Sequence, residues 1–69
     1  MKFRDLYPDN AYIFTFREDG RSVPAAVVTP LGNGMAIYED CIALVEKQMP
    51  IEEAFSKARH KKSLLTQRH

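Results

Sequence analysis

Sixty-nine residues with one cysteine, two histidines and a formal net charge of +1 exclude several kinds of protein at once. A single cysteine cannot form an intrachain disulfide, and with two histidines it is too small a supply for an ordinary four-ligand zinc site. No apolar run approaches the roughly 20 residues a membrane span needs, and no apolar signal core follows Met1-Lys2-Phe3-Arg4-Asp5.

The chain therefore reads as one small domain over 1–69, cytoplasmic and not membrane-bound, with low cysteine usage suited to a reducing compartment. Phe3, Leu6 and Tyr7 have helical spacing over a single turn. Pro8-Asp9-Asn10 is turn chemistry. Ala11 to Arg17 is the clearest strand, with Tyr12, Phe14 and Phe16 alternating against Ile13, Thr15 and Arg17. Asp19-Gly20 is the strongest hairpin signal. Ser22 to Thr29 is a second, nearly continuous apolar strand. Pro24 cannot donate a ladder bond, so the strand is an edge there or starts just after it. Leu31-Gly32-Asn33-Gly34 is another tight turn, and Met35 to Tyr38 is a short third strand or an extended lead-in. Residues 11–38 thus form a β-meander.

The last third is expected to be helical. Ile42, Val45 and Met49 recur at helical spacing, with Cys41 and Leu44 widening the stripe, so 39–49 reads as a first helix ended by Pro50. Ile51, Ala54, Phe55 and Ala58 mark a second helix over 50–66, with Glu52 and Glu53 in its first turn and Glu53 placed to pair with Lys57. The expected fold class is α+β: a small antiparallel meander of two or three strands, then two C-terminal helices packed on one sheet face. A domain this small buries only about 60% of its unfolded surface. A second copy of the chain is the remaining common support, and a homodimer is left open beside a monomer.

The charge is unevenly placed. Residues 1–56 carry five basic and nine acidic side chains, a formal −4; residues 57–69 carry five basic and no acidic ones, a formal +5. Such asymmetry suits contact with a nucleic acid, a membrane surface or an acidic protein. The plainer account is a helix end whose dipole favours cations. The candidate binding residues are Lys57, Arg59, His60, Lys61, Lys62 and Arg68.

No constellation for catalysis emerges. Cys41 on an apolar stripe reads as a small core residue before it reads as a nucleophile. The acidic pairs Glu18/Asp19, Glu39/Asp40 and Glu52/Glu53 suit a turn and two helix starts. Gly32-Asn33-Gly34 lacks the Lys-Ser/Thr of a phosphate loop. Tyr12, Phe14 and Phe16 could form a stacking platform for single-stranded nucleic acid, but a domain this small needs them as core. The expectation is a non-enzymatic protein-binding module, an inhibitor or adaptor acting through its two-signed surface, without cofactor or metal. The alternative is a small nucleic-acid binder setting phosphates on the basic helix. In size and composition alone, the chain is similar to small accessory and inhibitor proteins of bacteria and their phages.

Overall fold

A computed structural model describes residues 3–67, with the side chains of Phe3 and Arg4 outside the description. A short 3-10 turn, Phe3–Leu6, precedes four strands: β1 (Tyr12–Glu18), β2 (Arg21–Pro30), β3 (Met35–Asp40) and β4 (Val45–Pro50). One helix, α1 (Ile51–Thr66), closes the chain. The strands form a single antiparallel sheet in the order β1-β2-β3-β4, each joined to the next by a hairpin.

The chain is a small α+β fold, but the expected architecture is overturned: the helix over 39–49 does not exist. Glu39 and Asp40 complete β3, Cys41–Leu44 turn, and residues 45–50 return as β4. The meander has four strands rather than two or three, and one helix covers it rather than two. Pairing of Met35–Asp40 with Val45–Pro50 residue by residue supplies the ladder bonds that a short local helix would have had to find within itself. Tertiary pairing overrides local propensity here.

Strand alternation sorts the side chains. Phe14, Ala26, Val28, Ala36, Tyr38 and Met49 face α1 and pack with Ile51, Ala54, Phe55 and Ala58. Ala54 and Ala58 are fully buried; their small side chains let the helix lie close to the sheet. Phe16, Ala25, Val23 and Leu65 extend this core toward the far end of the helix. The opposite face carries Ile13, Val27, Ile37, Glu39 and Glu46, and Tyr7 after the 3-10 turn reaches it at Glu39 and Cys41.

Pro24 sits as its chemistry requires. β2 pairs with β3 only over Ala26–Pro30, so Pro24 has β1 on one side and no strand on the other. The register with β1 slips between Phe14 and Thr15, leaving Ala25 as the extra residue of a bulge beside the proline. At the start of α1 no side chain caps the helix; instead the Ile51 amide donates to the Gly34 carbonyl at 2.9 Å. That bond satisfies one otherwise orphaned donor and ties the helix start to the β2–β3 turn.

Candidate functional site

Two surface features stand out, one on each flank of α1. The first is the turn between β3 and β4. Asp40 builds it: its carboxylate Oδ1 accepts from the amides of Ile42 (3.0 Å) and Ala43 (2.9 Å), and its carbonyl accepts from the Leu44 amide at 2.8 Å. The Cys41 amide donates to the Ala25 carbonyl at 3.0 Å, fixing the base of the turn to β2. Asp40 Oδ2 meets Lys61 Nζ at 3.1 Å, the one ion pair among the described residues. Burial alone would raise the Asp40 pKa, but the bonds from Ala43, Lys61 and Ile42 outweigh it and hold the carboxyl below its usual range.

This turn displays apolar side chains. Ile42 and Val45 are about half exposed, and Leu44 is 83% exposed. Leu44 also has φ 60°, a left-handed conformation that costs a branched residue on the order of 1–3 kcal/mol. No charged residue occurs between Cys41 and Val45. Beside the tip lies a groove of about 410 Å³ between β4 and α1, with Tyr38, Lys47, Met49, Glu53 and Lys57 among its walls. None of this was visible as a site in the sequence, where Ile42, Leu44 and Val45 read as the buried stripe of a helix. The signal that could have found it is Asp40 as a turn former followed by an apolar run without a partner stripe on Glu46–Gln48.

The second feature is the cationic helix. The five described sequence candidates do not form one surface. Lys57 lines the β4 groove and Lys61 is held by Asp40. Arg59 and Lys62 lie on the other flank, lining a groove of about 510 Å³ with Phe14, Ser63, Thr66 and Gln67. His60 is exposed between the two sets. Arg68, like His69, lies outside the described residues. The expected Glu53–Lys57 pair is not formed.

The structure also weighs against the plain account of these charges. α1 runs to Thr66, and its last turn holds no basic residue. The dipole acts mainly within the terminal turn, so it does not explain cations at 57–62.

The three aromatics of β1 all point toward the helix side, but they differ in burial. Phe16 is buried, Phe14 half-buried, and Tyr12 is 54% exposed. Tyr12 and Phe14 both meet the Phe55 ring edge-on, with centroids 5.1 and 6.0 Å apart. The core assignment therefore holds for Phe16 and Phe14 and fails for Tyr12.

Cys41 is half-buried at the end of β3 rather than on a helix stripe. Burial pushes its thiol pKa up, and the nearby Glu39 and Asp40 carboxylates push the same way, against a lowering contact from Tyr7. The thiol stays protonated at neutral pH, the opposite of what a nucleophilic cysteine requires. Tyr7 Oη lies 3.5 Å from Glu39 Oε2, long for an O–H donor, and 3.9 Å from Cys41 Sγ. Burial, then Cys41 and Glu39, raise its phenol to about 12. Among the described residues no group of three or more His, Cys, Asp or Glu could hold a metal ion, and no helix is long and apolar enough to cross a membrane. The chain matches no protein-family model, no curated protein and no solved structure.

Proposed function

We propose that this chain is a non-enzymatic protein-binding module, an inhibitor or adaptor, that docks through the β3–β4 tip. The observation that carries the reading is Leu44: 83% exposed, in a left-handed backbone, on a turn anchored from both sides by Asp40. An exposed apolar residue alone means little. An apolar cluster held rigid at a conformational cost is different, because pre-organisation lowers the entropy lost on binding. Seating Leu44 in an apolar pocket contributes about 1.5–3 kcal/mol. Ile42 and Val45 extend the contact, and Lys47, Glu53 and Lys57 in the adjoining groove supply a two-signed polar rim.

The test is a paired affinity capture from cells that express the protein. The immobilised chain should retain a protein that the double variant Ile42→Asp/Leu44→Asp does not, while circular dichroism shows both folded. The Arg59→Gln/Lys62→Gln variant should retain it unchanged. Equal capture by all three, or none by any, would refute docking at the tip.

A further inference from the structure

We propose that the groove between β1 and α1 binds single-stranded nucleic acid, with a base stacked on Tyr12 and backbone phosphates on Arg59 and Lys62. The site lies on the opposite flank of the helix from the docking tip and shares no residue with it.

Three observations converge on this groove. The first is the placement of the free cations. Arg59 and Lys62 are both exposed and form no ion pair with a described residue, whereas Lys61 is tied to Asp40. The second is the lining. Ser63, Thr66 and Gln67 add hydroxyl and amide groups that can donate to phosphate or sugar oxygens, and no side-chain carboxylate among the described residues lines the groove. The third is an aromatic that lies outside the groove's own lining and is joined to it through Phe55 and Phe14. Tyr12 stands at the edge of the sheet on β1, and its ring is braced edge-on by Phe55 at 5.1 Å and 72°. A T-shaped contact covers at most one face of a ring, so at least one Tyr12 face stays clear of Phe55, and Tyr12 is more than half exposed. Phe14 continues the apolar floor toward Arg59 and Lys62.

These parts match one ligand chemistry. A cationic rim alone would suit any polyanion, including an acidic peptide. An aromatic face in line with it suits a chain that alternates flat bases with phosphates. Stacking requires an unpaired base, so a single strand fits and a duplex does not. From Phe55 to Lys62 the helix rises about 10 Å at 1.5 Å per residue, room for a few nucleotides. Neither hydrogen-bonded base reading nor sequence preference follows from such a surface.

Fluorescence anisotropy with a labelled oligothymidylate, and with a duplex of equal length, tests this at low and near-physiological salt. The single strand should bind more tightly than the duplex, and its affinity should fall as salt rises. Tyr12→Ala should weaken binding roughly tenfold, within the usual weight of one stacked base. Arg59→Gln and Lys62→Gln should each reduce the magnitude of the log–log salt slope by about 0.7. Lys57→Gln, on the other flank, should leave both unchanged, as should Leu44→Asp. Tyr12→Phe should bind like the wild type, and circular dichroism checks that each variant is folded. The proposal is overturned by absence of binding at low salt or by equal affinity for the duplex. It is also overturned by indifference to Tyr12→Ala, by an effect of Lys57→Gln as large as that of Lys62→Gln, or by displacement of the oligonucleotide with polyglutamate at equal charge concentration. Because Leu44→Asp abolishes only the protein contact, failure here and failure of docking at the tip are told apart.

Discussion

The turns that join β1 to β2 and β2 to β3 differ in kind from the one that joins β3 to β4. The first reverses direction through Asp19 (φ 53°) and Gly20 (φ 79°), the second through Gly32 (φ 88°) and Gly34 (φ 81°) around Asn33. Each places glycine at positive φ, the first adding Asp19, a type that tolerates the left-handed region, and each is otherwise polar apart from Leu31. The third uses no glycine. It places Leu44 at φ 60°, exposes Ile42 and Val45 beside it, and holds the whole with one aspartate. Folding alone favours the first solution: glycine in the left-handed region, polar side chains in water. A turn that departs from both rules, and is braced against the cost, fits selection for what its side chains touch. Four ways of breaking this contrast follow, from the largest expected effect down.

The attachment of β4 is the weakest point of the tip. Val45–Gln48 are all exposed, and Met49 alone sends its side chain into the core, 6% exposed among Ala36, Ala54 and their neighbours. Met49→Ala should cost about 2–5 kcal/mol, as truncation of a buried methionine usually does. In a small domain that approaches the whole stability. Urea unfolding should show a midpoint far below that of the wild type. A midpoint within error of the wild type would mean that β4 is held by its ladder with β3 alone.

Asp40 comes next, because it bonds two amides of the turn and pairs with Lys61 across to the helix. Asp40→Ala should cost about 1–3 kcal/mol, the usual effect of leaving hydrogen-bonding groups without partners. Asp40→Asn keeps an acceptor for Ile42 and Ala43 and loses only the charge opposite Lys61, so it should cost less. The same residue sets an acid dependence. Its pKa is lower folded than unfolded, so its contribution is fully present above the unfolded carboxylate value of about 4 and is lost as pH falls through the folded value. Melting temperature should therefore fall on acidification more steeply in the wild type than in Asp40→Asn. Parallel curves would show that another carboxylate dominates.

The same contrast explains what the sequence could and could not disclose. α1 was legible because one face of it is buried: Ala54, Ala58 and Leu65 fall on a single stripe that the core requires. β1 and β2 were legible because aromatic and β-branched residues occupy both faces of these strands, even though β1, like β4, is an edge. β4 was not, because an edge strand with one face to water and one anchor in the core shows no alternation; its four exposed residues include Glu46, Lys47 and Gln48, which are good helix formers. Ile42, Leu44 and Val45 look like a helix stripe only if they are assumed to be buried. The cations at 57–62 were visible as residues, but their division between two flanks depends on the sheet beneath α1. The exposure of Tyr12 was hidden for a related reason: the alternation that places it with Phe14 and Phe16 cannot say where the helix stops covering the sheet.

The smallest effect is also the most pointed, because its two halves should have opposite signs. At Gly20 an added Cβ would meet nothing within 4 Å, so Gly20→Ala tests backbone conformation alone. With φ at 79° it should destabilise by about 1 kcal/mol. Leu44→Gly makes the reverse exchange at φ 60°. It relieves left-handed strain of about 1–3 kcal/mol, offset by roughly 0.5–1 kcal/mol of added chain entropy in the unfolded state. The difference runs from about zero to 2.5 kcal/mol, with its centre near 1 kcal/mol, or about 4–8 °C in melting temperature for a domain of this size. The variant would thus be more stable than the wild type while losing the protein retained in affinity capture. That pairing is the signature of strain kept for binding rather than for folding. If Leu44→Gly is instead less stable, Leu44 contributes to the folded chain through contacts its exposure does not suggest. If it is more stable and retains the partner, the third turn tolerates leucine without using it.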